Sequence, residues 1–587
     1  MRMNIASLIF SRCTPDSPAF VRMEEEAFTY EDLELRVRAL VSQLKRLGCE
    51  PGDRIALTVP RGPWGLIGIL AVSSLAICCP LDPKLKDEEL EAALDQLSIK
   101  LLVDGTGDAR LRSLAAKRGL KVFTAPFGSE EEPDHRNSTG DNLPCLDNLT
   151  SSGDVALLLQ TSGTTSRPKP VALTHANVAA AALAIGAAYE IGPQDLCLNP
   201  MPHHHVHGLI SAGLSSLMAG AAQHCTTSFS ADAFEAAYAA FRPTWFTGSP
   251  AFHLGLFDHF KFTGTKPARA RLRFMRSSSA PFPASVIASY EDMFGVALLE
   301  NYGMTETAST ICTNPLPPQA RKAGSVGRPI GSQIRIVDAN GWDHAVGEEG
   351  EIIVRGPSVI TRYGADDSVD GSFLGSWLRT GDIGRFDADG YLFVLGRTKE
   401  LIKRGGHSVY PLEVDNVLLA YKDVAEAICF AIDHPTLGEE LVAVVVPRPQ
   451  AEIDVAALRD FLEQRLSTYK VPNAVYVVRE IPKNDTGKAV RRDMKKKFDW
   501  LFVPKLEQPR SELEEILVQF WTNVLGQPAV GATDNVFVLG ADTLRAQKIC
   551  DLVRAKTGIS LQLRDVLRNP TVRSQSILVE SRRDGAH

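Results

Sequence analysis

Residues 155–170 read VALLLQTSGTTSRPKP, an apolar run that passes directly into a loop of glycine and hydroxyl side chains. The run from Val155 to Leu159 predicts a buried strand. The loop offers backbone N–H groups and hydroxyl donors, and Arg167 and Lys169 add positive charge. Such donors converging on one point suit a triphosphate. Because the GxxxxGK[ST] spacing of a Walker A loop is absent, we expect a different type of phosphate-binding site.

Helical patterns and short apolar runs alternate on the N-terminal side of this loop. Glu31 to Leu47 has the spacing of an amphipathic helix, and Arg54 to Val59 and Leu101 to Val103 have the pattern of buried strands. This alternation predicts an α/β fold. Residues 126–153 lose all periodicity and collect acidic, Pro, Gly and Ser residues, which predicts a surface loop or linker.

The chain after Gly396 predicts further, smaller domains. Its buried-strand patterns cover Ala427–Ile432 and Leu441–Val446, and a helical pattern covers Val455–Leu466. After Lys497 a polar, Pro-containing stretch leads into a segment with helical periodicity. We predict a large α/β domain over 1–397, a small α+β domain over 398–498, a linker over 499–510 and a small helical bundle over 511–582.

Composition and charge argue against several functional classes. The 587 residues carry 63 Lys and Arg against 70 Asp and Glu, a net charge of −7. This balance is too mild to attract polyanions through a bulk field, so we expect neither nucleic-acid nor membrane binding. The ten cysteines have no CxxC spacing, which argues against a disulfide framework or a zinc knuckle and favours a reducing compartment.

Two apolar stretches near the N-terminus resemble targeting or membrane segments only superficially. The run Ile5–Phe10 is shorter than the apolar core of a signal peptide. The uncharged stretch Gly62–Leu81 contains prolines, glycines and serines, so we expect a buried core helix there instead of a membrane span. We therefore expect a cytoplasmic protein.

Four segments of the chain follow one another in a fixed order. They are TSGTTSRPKP at 161–170, NYGMTETAS at 301–309, RTGDIGRFDADGYLFVLGRTKELIKRGGHSVYP at 379–411 and PKNDTGKAVRR at 482–492. Together they resemble the adenylate-forming superfamily of acyl-CoA synthetases, luciferases and peptide-synthetase adenylation domains, over about residues 10–497. Three further segments, MPHHHVHGL at 201–209, TNPLP at 313–317 and GSVGRPIG at 324–331, most resemble the plant and fungal oxalate–CoA ligase branch.

The resemblance implies an enzyme that uses ATP and Mg²⁺, with a nucleotide site built from these segments. The residues expected around the β- and γ-phosphates of ATP are Thr161, Ser162, Gly163, Thr164, Thr165 and Lys169. The family usually has glycine where this chain has Ser166, and glycine tolerates a positive φ that serine resists. We therefore expect activity to be kept with a modest affinity for ATP.

The resemblance also implies contacts for the rest of the nucleotide. The residues expected to border the adenine are Tyr302 and Gly303 on one side and Ser279 and Ala280 on the other. Asp382, assisted by Arg397, is expected to bind the ribose hydroxyls. Thr305 is expected to contact the α-phosphate, and Glu306 to hold Mg²⁺, a hard cation that prefers oxygen ligands.

By the same resemblance, two half-reactions alternate through rotation of the small domain about a hinge at Lys399. Lys488 is expected to bridge the acid's carboxylate and the α-phosphate as negative charge builds up in the first step. In the second step, a loop with Lys403, Gly405 and Gly406 is expected to line the tunnel through which the thiol of CoA approaches.

The identity of the acid is suggested by the histidine-rich run at 203–207. Peptide-synthetase domains that load α-amino acids place an aspartate there, and this chain has none. Because a buried ammonium without a counter-charge is costly, an α-amino acid is disfavoured. His207, Arg276 and Ser277 instead suit a carboxylate, and oxalate is the leading hypothesis, with a fatty or aryl acid as the alternative. A metal site at the histidines is disfavoured because no acidic or cysteine residue lies nearby.

Residues 511–580 resemble an acyl or peptidyl carrier domain. In carriers a serine receives phosphopantetheine, but here the attachment motif is Gly540-Ala-Asp-Thr-Leu544. The β-methyl group of Thr543 restricts χ1 and crowds its oxygen, so we expect inefficient attachment and a domain that is vestigial or serves docking.

Two enzymatic hypotheses follow from the sequence. The first is an AMP-forming acid–thiol ligase that activates a small carboxylic acid and releases its CoA thioester. The second is a loading protein of a secondary-metabolite pathway that passes the acyl group to a carrier protein or domain. A non-catalytic scaffold and a light-emitting oxidoreductase are weaker alternatives, the first because Glu306, Asp382 and Lys488 are intact.

Overall fold

The computed structural model describes residues 3–22, 25–60, 62–125, 127, 143–160, 169–226, 230–265, 267, 271–363, 371–483 and 488–584. The chain divides into two units. The first comprises residues 1–394 together with 485–488, and the second comprises 395–484 together with 489–587.

The strands of the first unit form three sheets. In chain order they are β1 (Pro18–Arg22), β2 (Glu25–Thr29), β3 (Arg54–Thr58), β4 (Ile77–Leu81), β5 (Leu101–Asp104), β6 (Lys121–Thr124), β7 (Val155–Gln160), β8 (Pro170–Thr174), β9 (Leu196–Asn199), β10 (Ala222–Cys225), β11 (Trp245–Gly248), β12 (Phe274–Ser277), β13 (Leu298–Met304), β14 (Ser309–Thr313), β15 (Arg328–Pro329), β16 (Gln333–Val337), β17 (Gly350–Arg355), β18 (Phe373–Leu374), β19 (Trp377–Phe386) and β20 (Leu392–Arg397), the last of which runs into the second unit.

Two of these sheets are mainly parallel and the third is antiparallel. The strand orders are β6-β5-β3-β4-β7-β8, β15-β14-β13-β12-β11-β9-β10-β1-β2, and β16-β17-β19-β18 with β20 paired to β19. In the nine-stranded sheet the five strands from β10 to β13 are parallel, so their carboxyl ends share one edge. Ligands of open α/β sheets bind at such an edge.

Ten α-helices accompany these strands in the described part of the first unit. They are α1 (Ile5–Phe10), α2 (Tyr30–Arg46), α3 (Pro63–Leu75), α4 (Asp87–Leu97), α5 (Ala109–Lys117), α6 (His175–Ala188), α7 (Ser215–Met218), α8 (Ala231–Phe241), α9 (Pro250–Thr263) and α10 (Ala284–Phe294). A π-helix covers His207–Leu214 and a 3₁₀ turn covers Thr305–Thr307. Reciprocal caps by Thr29 with Asp32 and by Thr174 with Asn177 fix the starts of α2 and α6.

The predicted α/β fold is confirmed, and one local prediction is wrong. The stretch Gly62–Leu81 is not a single core helix, because the helix ends at Leu75 and Ile77–Leu81 forms a strand between β3 and β7. Apolar periodicity alone does not separate a buried helix from a buried central strand. None of the described helices is long and apolar enough to cross a bilayer.

The second unit contains a small α+β subdomain and a helical bundle. The strands are β21 (Ile402–Arg404), β22 (His407–Val409), β23 (Val424–His434), β24 (Gly438–Pro447) and β25 (Ala474–Val477), in the order β22-β21-β24-β23 with β25 paired to β24. The helices are α11 (Pro411–Leu419), α12 (Val455–Glu463), α13 (Arg491–Lys497), α14 (Glu512–Leu525), α15 (Thr543–Thr557), α16 (Leu563–Arg568) and α17 (Val572–Asp584), with 3₁₀ turns at Thr398–Glu400, Thr468–Lys470 and Asp499–Leu501.

The bundle α14–α17 has an apolar core of its own. Leu517, Trp521, Phe537 and Val553 are fully buried there, and the Trp521 indole N–H donates to the amide oxygen of Gln575 at 2.8 Å. A buried indole with a satisfied N–H fixes the packing of α14 against α17.

Candidate active site

Tyr302 and Asp382 are in direct contact in the first unit. The Tyr302 hydroxyl donates to Asp382 Oδ2 at 2.6 Å, across 80 residues of sequence. Tyr302 is half-buried on β13, and Asp382 is buried on β19. Gly303 follows Tyr302, and a Cβ atom there would lie 1.8 Å from the carbonyl oxygen of Ser309. Only glycine therefore permits this approach of β13 to β14.

A second group of polar side chains surrounds Glu306, which is buried in the 3₁₀ turn Thr305–Thr307. The hydroxyl of Tyr363 donates to Glu306 Oε1 at 3.0 Å, and the ammonium of Lys169 lies 5.1 Å from the centroid of the Tyr363 ring. Burial and the neighbouring Glu306 carboxylate hold the pKa of Tyr363 well above its usual value. Tyr363 is therefore a hydrogen-bond donor at neutral pH.

Oxygen atoms dominate this group, which suits Mg²⁺. The carboxylate of Glu306 is a hard ligand, and Mg²⁺ in nucleotide sites is typically held by one or two carboxylates together with phosphate oxygens. The donor set around Glu306 therefore fits the ion that the resemblance implies.

A continuous hydrogen-bonded path connects Ser279, His207, Thr247 and Arg276. The Oγ atom of Ser279 lies 2.9 Å from His207 Nδ1, and Thr247 Oγ1 lies 2.6 Å from His207 Nε2. Arg276 Nε–H donates to the same Thr247 oxygen at 3.0 Å. Ser279 is exposed and has φ of +78°, a strained conformation for a residue other than glycine. The path thus runs from an exposed serine to a buried guanidinium.

Arg276 is fully buried on β12, and its partners are uncharged. Nη1 donates to the carbonyl oxygen of Ser211 at 2.9 Å, and the rings of Tyr189 and Trp245 lie 5.7 and 5.6 Å away. Within the described part of the chain, Nη2 has no hydrogen-bond partner. Among the residues that the structure describes, no carboxylate forms an ion pair with it. Burial lowers the pKa of Arg276.

His207 lies at the start of the π-helix, a type of turn that is rare and frequent at functional sites. Burial and the adjacent positive charge of Arg276 hold the pKa of His207 well below its usual value, so the imidazole is neutral. A neutral imidazole both donates and accepts, which suits the bonds to two hydroxyls.

The remaining histidines of the run face a different set of partners. His203 Nε2 lies 3.3 Å from the amide nitrogen of Asn199, and His204 Nε2 lies 3.5 Å from Asp82 Oδ2. The expectation that no acidic or cysteine residue lies near this run is wrong, because Asp82 and Cys225 line the same cleft as His203 and His204. Both residues are distant in sequence and are brought there by the ends of β4 and β10.

The other predicted site residues are distributed over both units. Thr161, Ser162, Gly163, Thr164 and Thr165 lie outside the described residues, as does Ser166. In the first unit, Ser277 is buried and its hydroxyl has no hydrogen-bond partner in the described ranges, Ala280 is half-buried, and Lys488 is grouped with this unit. The second unit holds Arg397, Lys399, Lys403, Gly405, Gly406 and Thr543.

Within the second unit these residues occupy three different positions. Arg397 ends β20, and Lys399 is exposed in the turn Thr398–Glu400. Lys403, Gly405 and Gly406 lie in the β21–β22 hairpin, where the Gly405 N–H donates to the Leu437 carbonyl oxygen at 3.0 Å. Thr543 is the exposed first residue of α15.

Tyr363, Thr247 and Ser211 were not expected from the sequence. Each contacts a predicted site residue that is between 29 and 65 positions away in the chain. Thr247 follows two buried aromatic residues near the carboxyl end of β11. Ligands bind at the carboxyl ends of parallel strands, so a hydroxyl at this position could have been recognised as a candidate site residue. Tyr363 has no such signal.

Comparison with known families covers nearly the whole chain. The AMP-binding enzyme family matches residues 10–364, the AMP-binding enzyme C-terminal domain matches 413–488, and the phosphopantetheine attachment site family matches 515–579. The first match alone covers more than half of the chain.

Similar proteins and solved structures agree with these matches. The chain is 36% identical to a probable CoA ligase of Humulus lupulus over 82% of this chain and 94% of the relative, and 36% identical to an oxalate–CoA ligase of Arabidopsis thaliana over 78% and 91%. A sulfoacetate–CoA ligase of Cupriavidus necator is 32% identical over 83% and 96%. ATP-bound MatB from Rhodopseudomonas palustris superposes with a TM-score of 0.77 and 28% identity, over 85% of this chain and all of that one.

The matched domains, the relatives and the α/β architecture all lead to one assignment. The chain belongs to the AMP-binding enzyme family and is an AMP-forming acid–thiol ligase of the acyl-CoA synthetase type, followed by a domain of the phosphopantetheine attachment family.

Proposed function

We propose that this protein converts a small dianionic acid, with oxalate as the leading candidate, into its CoA thioester through an acyl-adenylate. The observation that supports a dianionic acid is Arg276, a buried guanidinium whose partners are uncharged and whose Nη2 has no hydrogen-bond partner among the residues that the structure describes. A buried cation is costly unless an anion compensates it. A second carboxylate on the substrate, reached directly or through the His207 path, provides that anion.

The nucleotide roles rest on two contact groups. Asp382, held by Tyr302, offers carboxylate oxygens to the ribose hydroxyls, and the Tyr302 ring borders the adenine. Glu306, held by Tyr363, would hold Mg²⁺ beside the phosphates, and the ion would neutralise phosphate charge there. Thr305, next to Glu306, would contact the α-phosphate. Lys169 and the loop Thr161–Thr165 complete the phosphate contacts.

The reaction proceeds in two displacements. In the first, a carboxylate oxygen of the acid attacks the α-phosphorus of ATP, the bond to the β-phosphate breaks and pyrophosphate leaves. Lys488 stabilises the negative charge that builds up on the oxygens. In the second, the CoA sulfur attacks the acyl carbon after losing its proton to solvent, and AMP leaves with the carboxylate oxygen. Lys403, Gly405 and Gly406 line the approach of the thiol, and rotation about Lys399 exchanges the two arrangements.

Replacement of Arg276 tests the acid class. Arg276→Met is expected to lower kcat/KM for oxalate by about 30-fold, equivalent to about 2 kcal/mol, because the acid loses a charged partner. The loss for a matched monoanion such as glyoxylate should be much smaller. Arg276→Lys keeps the charge and should recover part of the loss, and Arg271→Met makes the same change at an exposed position before β12. Equal losses for both acids with an intact fold would contradict the proposal.

Carrier loading is the second candidate function, and the match of residues 515–579 to the phosphopantetheine attachment family favours it. The hydroxyl of Thr543 is exposed at the start of α15, where carriers have a serine. Intact-protein mass spectrometry after incubation with CoA and a promiscuous phosphopantetheinyl transferase distinguishes the two functions. A mass gain of one pantetheine arm supports loading, whereas no gain with free acyl-CoA in solution supports a ligase.

A further inference from the structure

The attachment turn Gly540–Asp542 does not project freely from the bundle. It rests on the connection between β23 and β24, residues His434–Leu437, which we call the hairpin tip. A Cβ atom on Gly540 would lie 2.8 Å from Pro435 Cγ, so the Gly540 backbone lies directly against the Pro435 ring. The residues that precede Thr543 are therefore covered by the small subdomain.

Hydrogen bonds hold the turn to the hairpin tip. Buried His434 accepts the N–H groups of Thr436 and Leu437 at Nδ1, at 3.3 and 3.1 Å, so Nδ1 carries no proton. The Nε2–H group consequently donates to the Ala541 carbonyl oxygen at 3.1 Å. The Thr436 hydroxyl donates to Asp542 Oδ2 at 2.8 Å. Backbone geometry thus fixes the imidazole as a donor toward the turn.

Asp542 is engaged on both of its carboxylate oxygens. Oδ1 accepts the Arg545 backbone N–H at 2.8 Å and caps α15, while Oδ2 accepts from Thr436 and from Arg545 Nη1, the latter at 3.0 Å. Arg545 Nη1 also lies 3.3 Å from the Thr436 hydroxyl oxygen. The aspartate next to the attachment position is therefore used for the contact with the small subdomain.

Contacts away from the turn extend the interface. Val538 packs against the small subdomain's apolar cluster that includes Phe430 and Val444, and it is not part of the bundle's own core. On another side, Arg568 at the end of α16 pairs with Asp460 at 2.8 Å and Glu463 at 3.1 Å on α12. Because apolar packing and ion pairs join the two parts at separate points, the bundle cannot pivot on the small subdomain about the attachment turn alone.

The predicted linker 499–510 is also held at both ends. The Phe502 ring lies 6.1 Å from Phe430 and 5.8 Å from Tyr476, centroid to centroid. Further along, Lys505 N–H donates to Asp534 Oδ1 at 2.7 Å, and Glu507 pairs with Arg573 at 2.8 Å. The segment therefore packs on the small subdomain first and on the bundle next, which is not the arrangement of a free tether.

We propose that the bundle is docked on the small subdomain through its attachment turn, and that this docking shields residue 543 from phosphopantetheinyl transfer. The Thr543 side chain is open to solvent, but a transferase is a protein and must also cover the residues around the hydroxyl. Those residues, Gly540, Ala541 and Asp542, are occupied by the hairpin tip. The bundle then moves with the small subdomain as a fixed part of it, whichever acid the enzyme activates.

The shielded reaction is a transfer from CoA. The hydroxyl oxygen of residue 543 attacks the phosphorus that carries pantetheine, a phosphodiester forms, the pyrophosphate bridge breaks, 3′,5′-ADP leaves and the hydroxyl proton passes to solvent. If only the undocked form reacts, the observed rate is the intrinsic rate multiplied by the undocked fraction. Loss of docking contacts must therefore raise the rate.

The test uses full-length variants in a Thr543→Ser background, which removes the effect of the β-methyl group. Val538→Asp places a charge in the apolar part of the interface, and Ile577→Asp is the matched control on α17, where Ile577 is 60% exposed. Each protein is incubated with CoA and a promiscuous phosphopantetheinyl transferase, and its mass is followed over time. A second undocking variant, Thr436→Val with Arg568→Glu, leaves the bundle core untouched.

We expect both undocking variants to gain the pantetheine arm about tenfold faster or more than Thr543→Ser alone, in proportion to their undocked fraction. The Ile577→Asp control should react at the rate of Thr543→Ser. Circular dichroism shows whether the helices of each variant are intact. The proposal is overturned if Thr543→Ser alone reacts as fast as the undocking variants, or if neither folded undocking variant reacts faster than the control.

Discussion

Replacement of Glu300 by glutamine is expected to stabilise the first unit above neutral pH and to change little in acid. Glu300 is 6% exposed on β13, two residues before Tyr302, and its Oε2 accepts the Gly324 N–H at 3.2 Å. Burial raises the pKa of Glu300 from 4.5 to about 7, and hydrogen bonds from the backbone N–H groups of Gly324 and Phe282 offset only part of that effect.

The sign and size of the effect follow from proton linkage. The folded unit holds the Glu300 proton more tightly than the unfolded chain, so its contribution to stability is fully present below pH 4.5 and is lost as the pH rises through about 7. The difference between these pKa values corresponds to about 3 kcal/mol at alkaline pH. An amide stays neutral and its oxygen can still accept the Gly324 N–H, so Glu300→Gln removes this cost.

The assay is denaturant unfolding of wild type and variant at about pH 5 and about pH 8, followed by the fluorescence of buried tryptophans such as Trp245. The variant should be more stable by up to about 3 kcal/mol at the higher pH and by much less at the lower one. Glu349→Gln, at an exposed position, is the control and should show neither effect. A stability difference that does not grow with pH would refute the assignment of a buried, protonated carboxyl to Glu300.

Three further predictions concern activity. Lys488→Ala should slow adenylation by about 10²–10³-fold and spare thioester formation from pre-formed adenylate, because the lysine acts in the first step only. Stopped-flow assays that show equal loss of both steps would contradict this role. Tyr363→Phe should lower kcat/KM for ATP by about tenfold, because Glu306 loses a hydrogen bond to a charged group, and pyrophosphate-exchange assays measure it. Deletion of residues 505–587 should leave kcat for CoA thioester formation within about twofold of the full-length value, because the proposed substrate contacts lie elsewhere. Loss of turnover in a folded protein would show that the deleted segment is needed for the reaction.

The sequence was sufficient for the fold class and the family because both depend on local patterns and ordered motifs. The helix expected over Glu31–Leu47 is found at Tyr30–Arg46, and the strand expected over Leu101–Val103 is found at Leu101–Asp104. Alternating elements of this kind restrict the topology to few arrangements. The error in Gly62–Leu81 arose where apolar residues are continuous and show no period.

Individual candidate residues of the site could be named from the sequence, but the contacts between them could not. Tyr302 and Asp382 were both expected at the nucleotide, yet their hydrogen bond spans 80 residues and no local pattern reports it. The contact of Tyr363 with Glu306 depends in the same way on packing between distant segments. Long-range contacts of this type follow from the assembled fold, which a single sequence does not display.

For the carrier-like domain, the sequence identified the segment, and the structure added a contact that bears on how accessible the attachment position is. The motif around Thr543 indicated an attachment site with an unfavourable hydroxyl. The contacts of Ala541 and Asp542 with the hairpin tip, 107 and 106 residues away, add a steric reason that a motif cannot contain.

The most direct test of the account is product analysis by mass spectrometry after the full-length protein is incubated with ATP, Mg²⁺, CoA and one acid at a time. Oxalate and other small dianions should be compared with monoanions matched in size and with ferulate. The account predicts AMP, pyrophosphate and a free CoA thioester, with the highest kcat/KM for a small dianion. A clear preference for monoanionic or aryl acids would contradict the role given to Arg276, and acyl groups found only on the protein would contradict a ligase that releases its product.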